Sequence, residues 1–411
     1  MPPLTMTFEI PTRIISGLAD GSLVRNGGVI QDRTGRVFMW LRELNSAGSI
    51  PMSTPNLLSG VDPVTGILNL PMQGVNAEIS MRGFASVTQQ LDQIQGTLNI
   101  ITASSMLNLG VSVIGFALIL KKVKELEGRL EKVQKILEKI DQKIDLSFYA
   151  NFKAALDLAM NAFTMCKGDN RKTSALNAIN RFLEAEHIYT NLVDKELSAR
   201  SQVSNEYLLT LCFAYIAEAR CYLELEEFDT AIRRFQEGQE QVKSRIEKYV
   251  DTLLSSNPLM YLHPSLKDKT NLPRLTRIYQ WKDSSLDEVR VFELLREHLV
   301  PQSDKSWSSQ VNDWIKSLPL SMIGGEDINN FWGIKEEVRV KIIQKLPEVM
   351  ADMESMIETN QRFSSYELEV KAISQLGISF REWLQLQPPE SAVNNSNLMY
   401  IVPDEPMILR D

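Results

Sequence analysis

The sequence has few residues of the types that build metal centres, disulfide frameworks and covalent active sites. Its 411 residues include three cysteines and three histidines. Cys166, Cys212 and Cys221 show no paired spacing, so we predict a reducing compartment and no disulfide framework. The histidines are scattered, and no cysteine–histidine cluster has zinc-ligand spacing. The sequence therefore predicts no structural metal and no cofactor.

The common catalytic motifs are absent as well. The chain has no Gly-x-Gly-x-x-Gly fingerprint, no phosphate loop ending in Gly-Lys-Ser or Gly-Lys-Thr, no Gly-x-Ser-x-Gly and no His-Glu-x-x-His. The formal net charge of −8 argues against general nucleic-acid binding, which needs an extended basic surface. We therefore predict a protein that is not an enzyme.

One long uncharged run interrupts an otherwise ordinary composition. Residues 93–120 contain no charged side chain over 28 positions. About 20 apolar residues are enough to cross a bilayer as a helix, so we predict a transmembrane segment over residues 102–120. Basic residues follow at once and would mark the membrane boundary. They are Lys121, Lys122 and Lys124. The alternative is a buried central helix of a soluble bundle.

The distribution of charge around the run predicts its orientation. Because basic residues cluster on its C-terminal side, that side should face the cytoplasm. We expect an inner or plasma membrane protein with most of the chain in the cytoplasm, and a wholly cytoplasmic chain is the alternative. The residues before the run would then have to cross the bilayer, and a segment that inserts only after a trigger avoids that difficulty.

Apolar residues repeat with heptad spacing on both sides of the run. Before it they are Val87, Leu91, Ile94, Leu98 and Ile101, and after it Val123, Leu126, Leu130, Val133, Leu137, Ile140 and Ile144. The pattern predicts one helix over residues 85–148, with a coiled-coil-like part over residues 121–147. Such a seam can associate with other copies of the chain or pack against the same chain, and the pattern leaves both open.

Inside the run, the heptad positions become small and polar. They are Ser105, Asn108, Ser112 and Gly115. At 100° per residue these positions share about a third of the helix circumference. In a membrane such a stripe allows close helix packing or lines a water-filled pore. Both interpretations need a second helix, so we predict a homo-oligomer in the lipid bilayer.

The residues before the run differ in composition from those after it. Residues 1–84 are rich in glycine, proline, serine and threonine, and they predict a small β-containing domain. Strands are expected over residues 23–32 and 36–43, joined by a turn at residues 33–35. A short helix is expected before them, over residues 10–19.

Residues 149–256 are predicted to form stacked helical hairpins. In the best unit, small and aromatic residues recur at the spacing of a helix pair: Tyr215, Ala219, Tyr222, Ala231, Phe235 and Gly238. This unit resembles a tetratricopeptide repeat, and a weaker copy lies at Ala178, Phe182 and Ala185. The resemblance implies hairpin stacking and a surface that binds a protein or peptide.

Residues 257–411 predict a C-terminal helical domain, and its tail over residues 388–411 is predicted to be a loop or to contain one late strand over residues 398–402. A basic stretch with interleaved aromatic residues suits an anion or a nucleotide. It contains Lys267, Lys269, Arg274, Arg277, Tyr279, Trp281 and Lys282. A solvated surface is the alternative interpretation.

Together these patterns predict a mainly α fold. A small α/β N-terminal domain leads into one very long helix with a membrane-competent segment and flanking heptads, and helical-hairpin and C-terminal helical domains follow. The preferred function is an oligomeric membrane protein that forms or gates a pore, with helical domains that sense a protein, peptide or anionic ligand. The layout is similar to that of α-helical pore-forming toxins and bacterial antiviral defence effectors. The alternative is a soluble helical scaffold that binds proteins through the tetratricopeptide-like surface.

Overall fold

The structure is a computed structural model, and its described residues are 4–43, 95–102, 116–138, 147–165, 167–254, 258–267, 269–297, 315, 318–319, 336–385, 398–403 and 405–409. They form a mostly helical molecule with small antiparallel sheets built mainly from its N-terminal part.

The N-terminal sheet has four strands in the order β2–β3–β4–β6. It contains β2 (Leu23–Asn26), β3 (Val29–Asp32), β4 (Val37–Glu43) and, from the other end of the chain, β6 (Leu398–Ile401). The predicted turn at residues 33–35 and the predicted late strand are both confirmed. The predicted first strand is divided into β2 and β3 because the chain turns back at Gly27 and Gly28.

A short helix and a second pair of strands complete this region. α1 (Thr12–Asp20) packs on β2 and confirms the predicted short helix. β1 (Leu4–Pro11) pairs antiparallel with β5 (Gln95–Thr102).

β5 corrects the prediction of one continuous helix over residues 85–148. Leu98 and Ile101, which the heptad pattern placed on a helical seam, are paired with Phe8 and Thr5 of β1. The physical reason is the local run of β-branched residues around them, which favours extended backbone once a partner strand is present. Thr102, the first residue of the candidate transmembrane segment, is the last residue of this strand.

The helical part begins with α2 (Phe116–Glu138), which contains the last five residues of the candidate transmembrane segment. α3 (Ser147–Thr164), α4 (Gly168–Ser198), α5 (Ser204–Glu224) and α6 (Phe228–Leu254) follow, and each packs on the next. The unit that resembles a tetratricopeptide repeat forms the α5–α6 hairpin. α5 lies at the centre of the molecule and is buried along almost its whole length.

The C-terminal helices cover the far side of this stack. Two 3-10 turns at Pro258–Leu262 and Pro264–Leu266 lead to α7 (Leu272–Lys282) and α8 (Glu288–Glu297). α9 (Glu336–Leu376) packs along α6, where the rings of Phe235 and Tyr366 lie 5.6 Å apart. α10 (Phe380–Gln385) then brings Trp383 against Trp40 of β4.

The β2–β3 turn presses directly on α9. Gly27 has a φ of +55°, and a Cβ atom there would lie 2.8 Å from the Ser365 Oγ and 2.9 Å from the Gln361 carbonyl oxygen. Beside it, Arg25 donates two hydrogen bonds of 2.9 Å to the Glu358 carboxylate of α9. Glycine is therefore required here both by the backbone angle and by the close approach.

One continuous apolar core draws on all four segments that the sequence distinguishes. It contains Trp40 from the sheet, Val123 from α2, Phe182 from α4 and Tyr366 from α9. Within the described ranges, no helix has both the length and the apolar content that crossing a membrane requires. The membrane segment therefore finds no support in these helices, and residues 103–115 lie outside the described residues.

Candidate functional site

The predicted polar stripe and the predicted membrane boundary are placed as follows. Ser105, Asn108, Ser112 and Gly115 lie outside the described residues. Lys121 and Lys122 belong to the first turns of α2, and Lys124 is exposed on the same helix.

The predicted anion site around α7 has part of its charge already paired. Arg274 donates from Nε and Nη2 to the two carboxylate oxygens of Glu354, at 2.6 and 2.7 Å. Lys282 forms an ion pair with Asp251. Tyr279 and Trp281 pack against the apolar core instead of standing free for stacking. The exposed cations that remain for a ligand are Lys267, Lys269 and Arg277.

The part of the heptad seam that lies in α2 is buried inside the chain. We call Val123, Leu126, Leu130, Val133 and Leu137 the α2 seam, and each of these side chains is at most 8% exposed. Burial of such a side chain contributes about 1.5–3 kcal/mol relative to its exposure to water. The sequence leaves open whether this seam associates with another copy or packs against its own chain. In the described structure it packs against its own chain.

α2 is held between α3 and α5. Its main contacts are with α5. From α3, the Tyr149 hydroxyl donates to the Val123 carbonyl oxygen at 2.9 Å, and Lys153 pairs with Glu127 at 2.7 Å. The contacts on α2 therefore combine an apolar seam with polar bonds at its edge.

A buried charge cluster, which we call the α2 anchor, fixes the middle of the helix. Arg129 Nη2 lies 3.2 Å from Glu206 Oε1 of α5 and 3.8 Å from Asp352 Oδ1 of α9. The Tyr249 hydroxyl of α6 donates to Asp352 Oδ2 at 2.6 Å. Burial raises the pKa of Asp352, and the nearby charge of Arg129 and the Tyr249 hydrogen bond oppose that increase. Arg129 lies between two buried carboxylates. Separation of α2 from α5 and α9 would therefore leave Glu206 and Asp352 without their counter-charge.

α2 covers the face on which stacked helical hairpins usually bind a partner. α3 and α5 are the first helices of two successive hairpins, and they contact each other. In repeat proteins such a face forms an extended binding surface. Because α2 contacts both helices, it covers this face in the described structure.

A second buried cluster lies between α4, α5 and α6. Arg234 of α6 forms ion pairs with Glu186 of α4, with Glu218 of α5 at 2.5 Å, and with Glu237 of its own helix. Glu186 Oε1 and Glu218 Oε1 are buried without a hydrogen-bond partner in the described residues. Burial and the neighbouring charge of Glu218 raise the pKa of Glu186, and the charge of Arg234 opposes that increase.

Sequence reasoning missed both clusters because their members are far apart in the chain. Arg129 and Glu206, for example, are separated by 77 positions. One signal was present: the charged residues Glu206, Glu218 and Arg220 lie among apolar residues in α5, and a charge inside a buried helix needs a partner. The pattern does not identify that partner.

Comparisons with protein-family models, with curated proteins and with solved structures find no match to this chain. The functional conclusion therefore depends on the geometry of α2 and on the uncharged run that precedes it.

Proposed function

We propose that the protein acts at a membrane, where the uncharged run enters the bilayer and copies of the chain form or gate a pore once α2 leaves the helical hairpins. The observation that carries this proposal is the burial of the α2 seam directly after the run. α2 begins at Phe116, inside the candidate transmembrane segment, so its movement is transmitted to that segment.

The docked and released positions of α2 constitute two states of one element. In the docked state the α2 seam is covered by α5 and its neighbours. In the released state five apolar side chains at heptad spacing are exposed to water, and pairing with a second copy covers them again. Release therefore favours assembly, and a partner that binds the released state more tightly shifts the equilibrium towards it.

The α2 anchor makes the docked state specific. Loss of one partner from a buried ion pair typically costs about 3–5 kcal/mol, because the remaining charge stays buried without a counter-charge. Arg129 supplies that counter-charge to Glu206 and Asp352 at once. A ligand or a change in the lipid environment that competes for Arg129 would act directly on the release of α2.

The alternative proposal is a soluble scaffold that binds a protein through its tetratricopeptide-like face. α2 already covers that face, so a scaffold of this kind also needs α2 to leave first. Membrane partitioning separates the two proposals, because only the first places the protein in the inner or plasma membrane, with most of the chain in the cytoplasm.

The test is leakage of calcein from liposomes by the full chain and by two charge-reversal variants. Glu206→Lys places a positive charge on α5 opposite Arg129 and weakens docking, while the α2 seam stays intact for pairing with a second copy. Glu240→Lys is the matched control at an exposed position of α6. We expect Glu206→Lys to form larger assemblies and to release calcein faster than the wild-type chain, and Glu240→Lys to behave as the wild type does.

A milder variant distinguishes release of α2 from general misfolding of the chain. Arg129→Gln removes the charge of the α2 anchor and keeps the length of the side chain, and a loss of about 3 kcal/mol corresponds to a change of roughly a hundredfold in the docking equilibrium. Circular dichroism verifies that helix content is kept. If Glu206→Lys and Arg129→Gln both stay monomeric and leave liposomes intact, α2 release does not control a pore.

A further inference from the structure

We infer that a cleft in the N-terminal sheet region binds a small organic phosphate that carries an apolar group. The cleft has a volume of about 700 Å³ and lies between α1, the β3–β4 turn and the segment that follows β6. This volume is within the usual range of about 300–1,000 Å³ for small-molecule sites. The proposal concerns a different part of the chain from the α2 seam and the α2 anchor, and it does not depend on the membrane proposal.

Three arginines of the cleft supply cationic donors. Arg13 comes from α1, and Arg33 and Arg36 come from the β3–β4 turn. Guanidinium groups bind phosphate oxygens through pairs of hydrogen bonds, which makes arginine the preferred residue for such ligands. Among the described lining residues, these arginines and the carboxylates of Asp20 and Asp32 give three positive and two negative charges, an excess of +1, whereas the whole chain has a net charge of −8.

The two carboxylates are engaged within their own turns. Asp32 Oδ1 accepts hydrogen bonds from the backbone nitrogens of Thr34 and Arg36, at 2.8 and 3.0 Å, and from the Thr34 hydroxyl at 2.6 Å. Asp20 Oδ1 accepts from the backbone nitrogen of Ser22 at 2.8 Å. The pKa values of both groups are lowered, first by hydrogen bonds from Thr34 to Asp32 and from Ser22 to Asp20. Both carboxylates therefore stay ionised and accept hydrogen bonds within their own turns, and neither forms an ion pair with Arg13 in the described structure.

The turn that carries two of the arginines is held in a fixed position. Asp32 Oδ2 accepts a hydrogen bond from Arg36 Nε at 2.7 Å. Arg33 Nε donates to the Gly21 carbonyl oxygen at 3.1 Å, which ties the turn to the end of α1. Arg13 forms no hydrogen bond or ion pair with any residue in the described part of the chain. The site therefore combines two positioned guanidinium groups with one that is available to a ligand.

The floor of the cleft is apolar. Ile14, Leu23 and Val402 are nearly fully buried beneath it, and Phe38 is half-buried at its side. An inorganic anion alone would leave this surface in contact with water, whereas a ligand with a flat apolar group covers it. Charge at the rim and apolar side chains below together favour an aromatic or aliphatic phosphate monoester.

Isothermal titration calorimetry of the full chain with 1-naphthyl phosphate tests this inference. We expect saturable 1:1 binding, with weaker binding of inorganic phosphate and of 1-naphthol, since each supplies half of the interaction. The double variant R13Q/R33Q should bind 1-naphthyl phosphate at least tenfold more weakly. The matched control is R181Q/R233Q, which removes two exposed arginine charges from α4 and α6.

The outcomes separate a specific site from general attraction of anions. A tenfold loss in R13Q/R33Q with unchanged binding in R181Q/R233Q supports the cleft. Absence of saturable binding to the wild-type chain overturns the inference, and so does equal affinity of the two double variants. Thermal melting of both variants checks that the sheet remains folded. We expect it to do so, because the Arg33 side chain makes one hydrogen bond to the Gly21 carbonyl oxygen and both Arg13 and Arg33 are exposed.

Discussion

At the scale of single residues, Glu186 is a buried carboxyl group whose pKa is raised in the folded chain. Its ordinary pKa is 4.5, and burial together with Glu218 raises it to about 10. A group whose pKa is raised in the folded state stabilises the fold fully below the unfolded pKa and loses that contribution as pH rises towards the folded pKa. The free energy of unfolding should therefore fall between about pH 5 and pH 9 through this group.

The Glu186→Gln variant tests this raised pKa. Glutamine keeps an oxygen that accepts from Arg234 and needs no proton, so the variant should gain stability relative to the wild type as pH rises from 5 to 9. Urea unfolding at three pH values measures the difference. Glu184→Gln, on the exposed face of the same helix, is the control and should show no such trend. A difference that does not change with pH would show that Glu186 is ionised in the fold.

Glu358 is the opposite case, a carboxylate that is held ionised. Burial alone would raise its pKa, but the charges and hydrogen bonds of Arg25 and Arg362 lower it to about 2. Its contribution is present above the ordinary pKa of 4.5 and is lost as pH falls towards 2. We expect Glu358→Gln to lower the free energy of unfolding at neutral pH by about 3 kcal/mol, since Arg362 stays buried. Glu348→Gln, an exposed position of α9, should change it little in the same urea titration.

At the scale of elements, two helical glycines differ in the space around them, so their replacement by alanine should have opposite effects on stability. A Cβ at Gly238 would lie 2.7 Å from the Phe363 ring and 3.0 Å from Tyr215, whereas a Cβ at Gly128 of α2 meets no atom within 4 Å. Gly238→Ala should therefore destabilise the chain by about 1–3 kcal/mol through overpacking. Gly128→Ala should stabilise it by up to about 1 kcal/mol, because alanine is the better helix former. Thermal unfolding of both variants would contradict this account if the two shifts had the same sign.

Local patterns predict the elements whose own residues determine their conformation. The β3–β4 turn and α1 were predictable because turn residues and apolar spacing lie within a few positions of each other. β5 was not, because its extended form depends on pairing with β1, about 90 positions earlier in the chain. The same heptad spacing that predicts helix for α2 is present at Leu98 and Ile101, where tertiary pairing overrides it.

At the scale of the whole molecule, sequence reasoning predicted the helical class but not how the chain uses its seam. Heptad spacing predicts that a helix has an apolar face, but it does not predict which surface packs against that face. In the described structure that surface is α5, with α3 and α9 contributing Tyr149 and Asp352. The candidate site therefore arises from contacts between distant parts of the chain, and the local pattern could indicate only that α2 needed a partner.

The docking of α2 changes the expected behaviour of the whole chain. A seam that is free at all times predicts constitutive oligomers, whereas a covered seam predicts a monomer that assembles only after a trigger. Under the proposed function, release of α2 would let the uncharged run insert and would bring copies together through the α2 seam. Insertion that waits for a trigger also removes the need to move a folded N-terminal region across the membrane.

Flotation of the purified full-length chain with liposomes in a density gradient tests the central claim most directly. We predict that the Arg129→Gln variant, in which α2 is released, rises with the vesicles and is not extracted by alkaline carbonate, whereas the wild-type chain is a monomer that inserts only after release of α2. An Arg129→Gln variant that stays at the bottom of the gradient and is monomeric in detergent-free buffer would contradict action at a membrane.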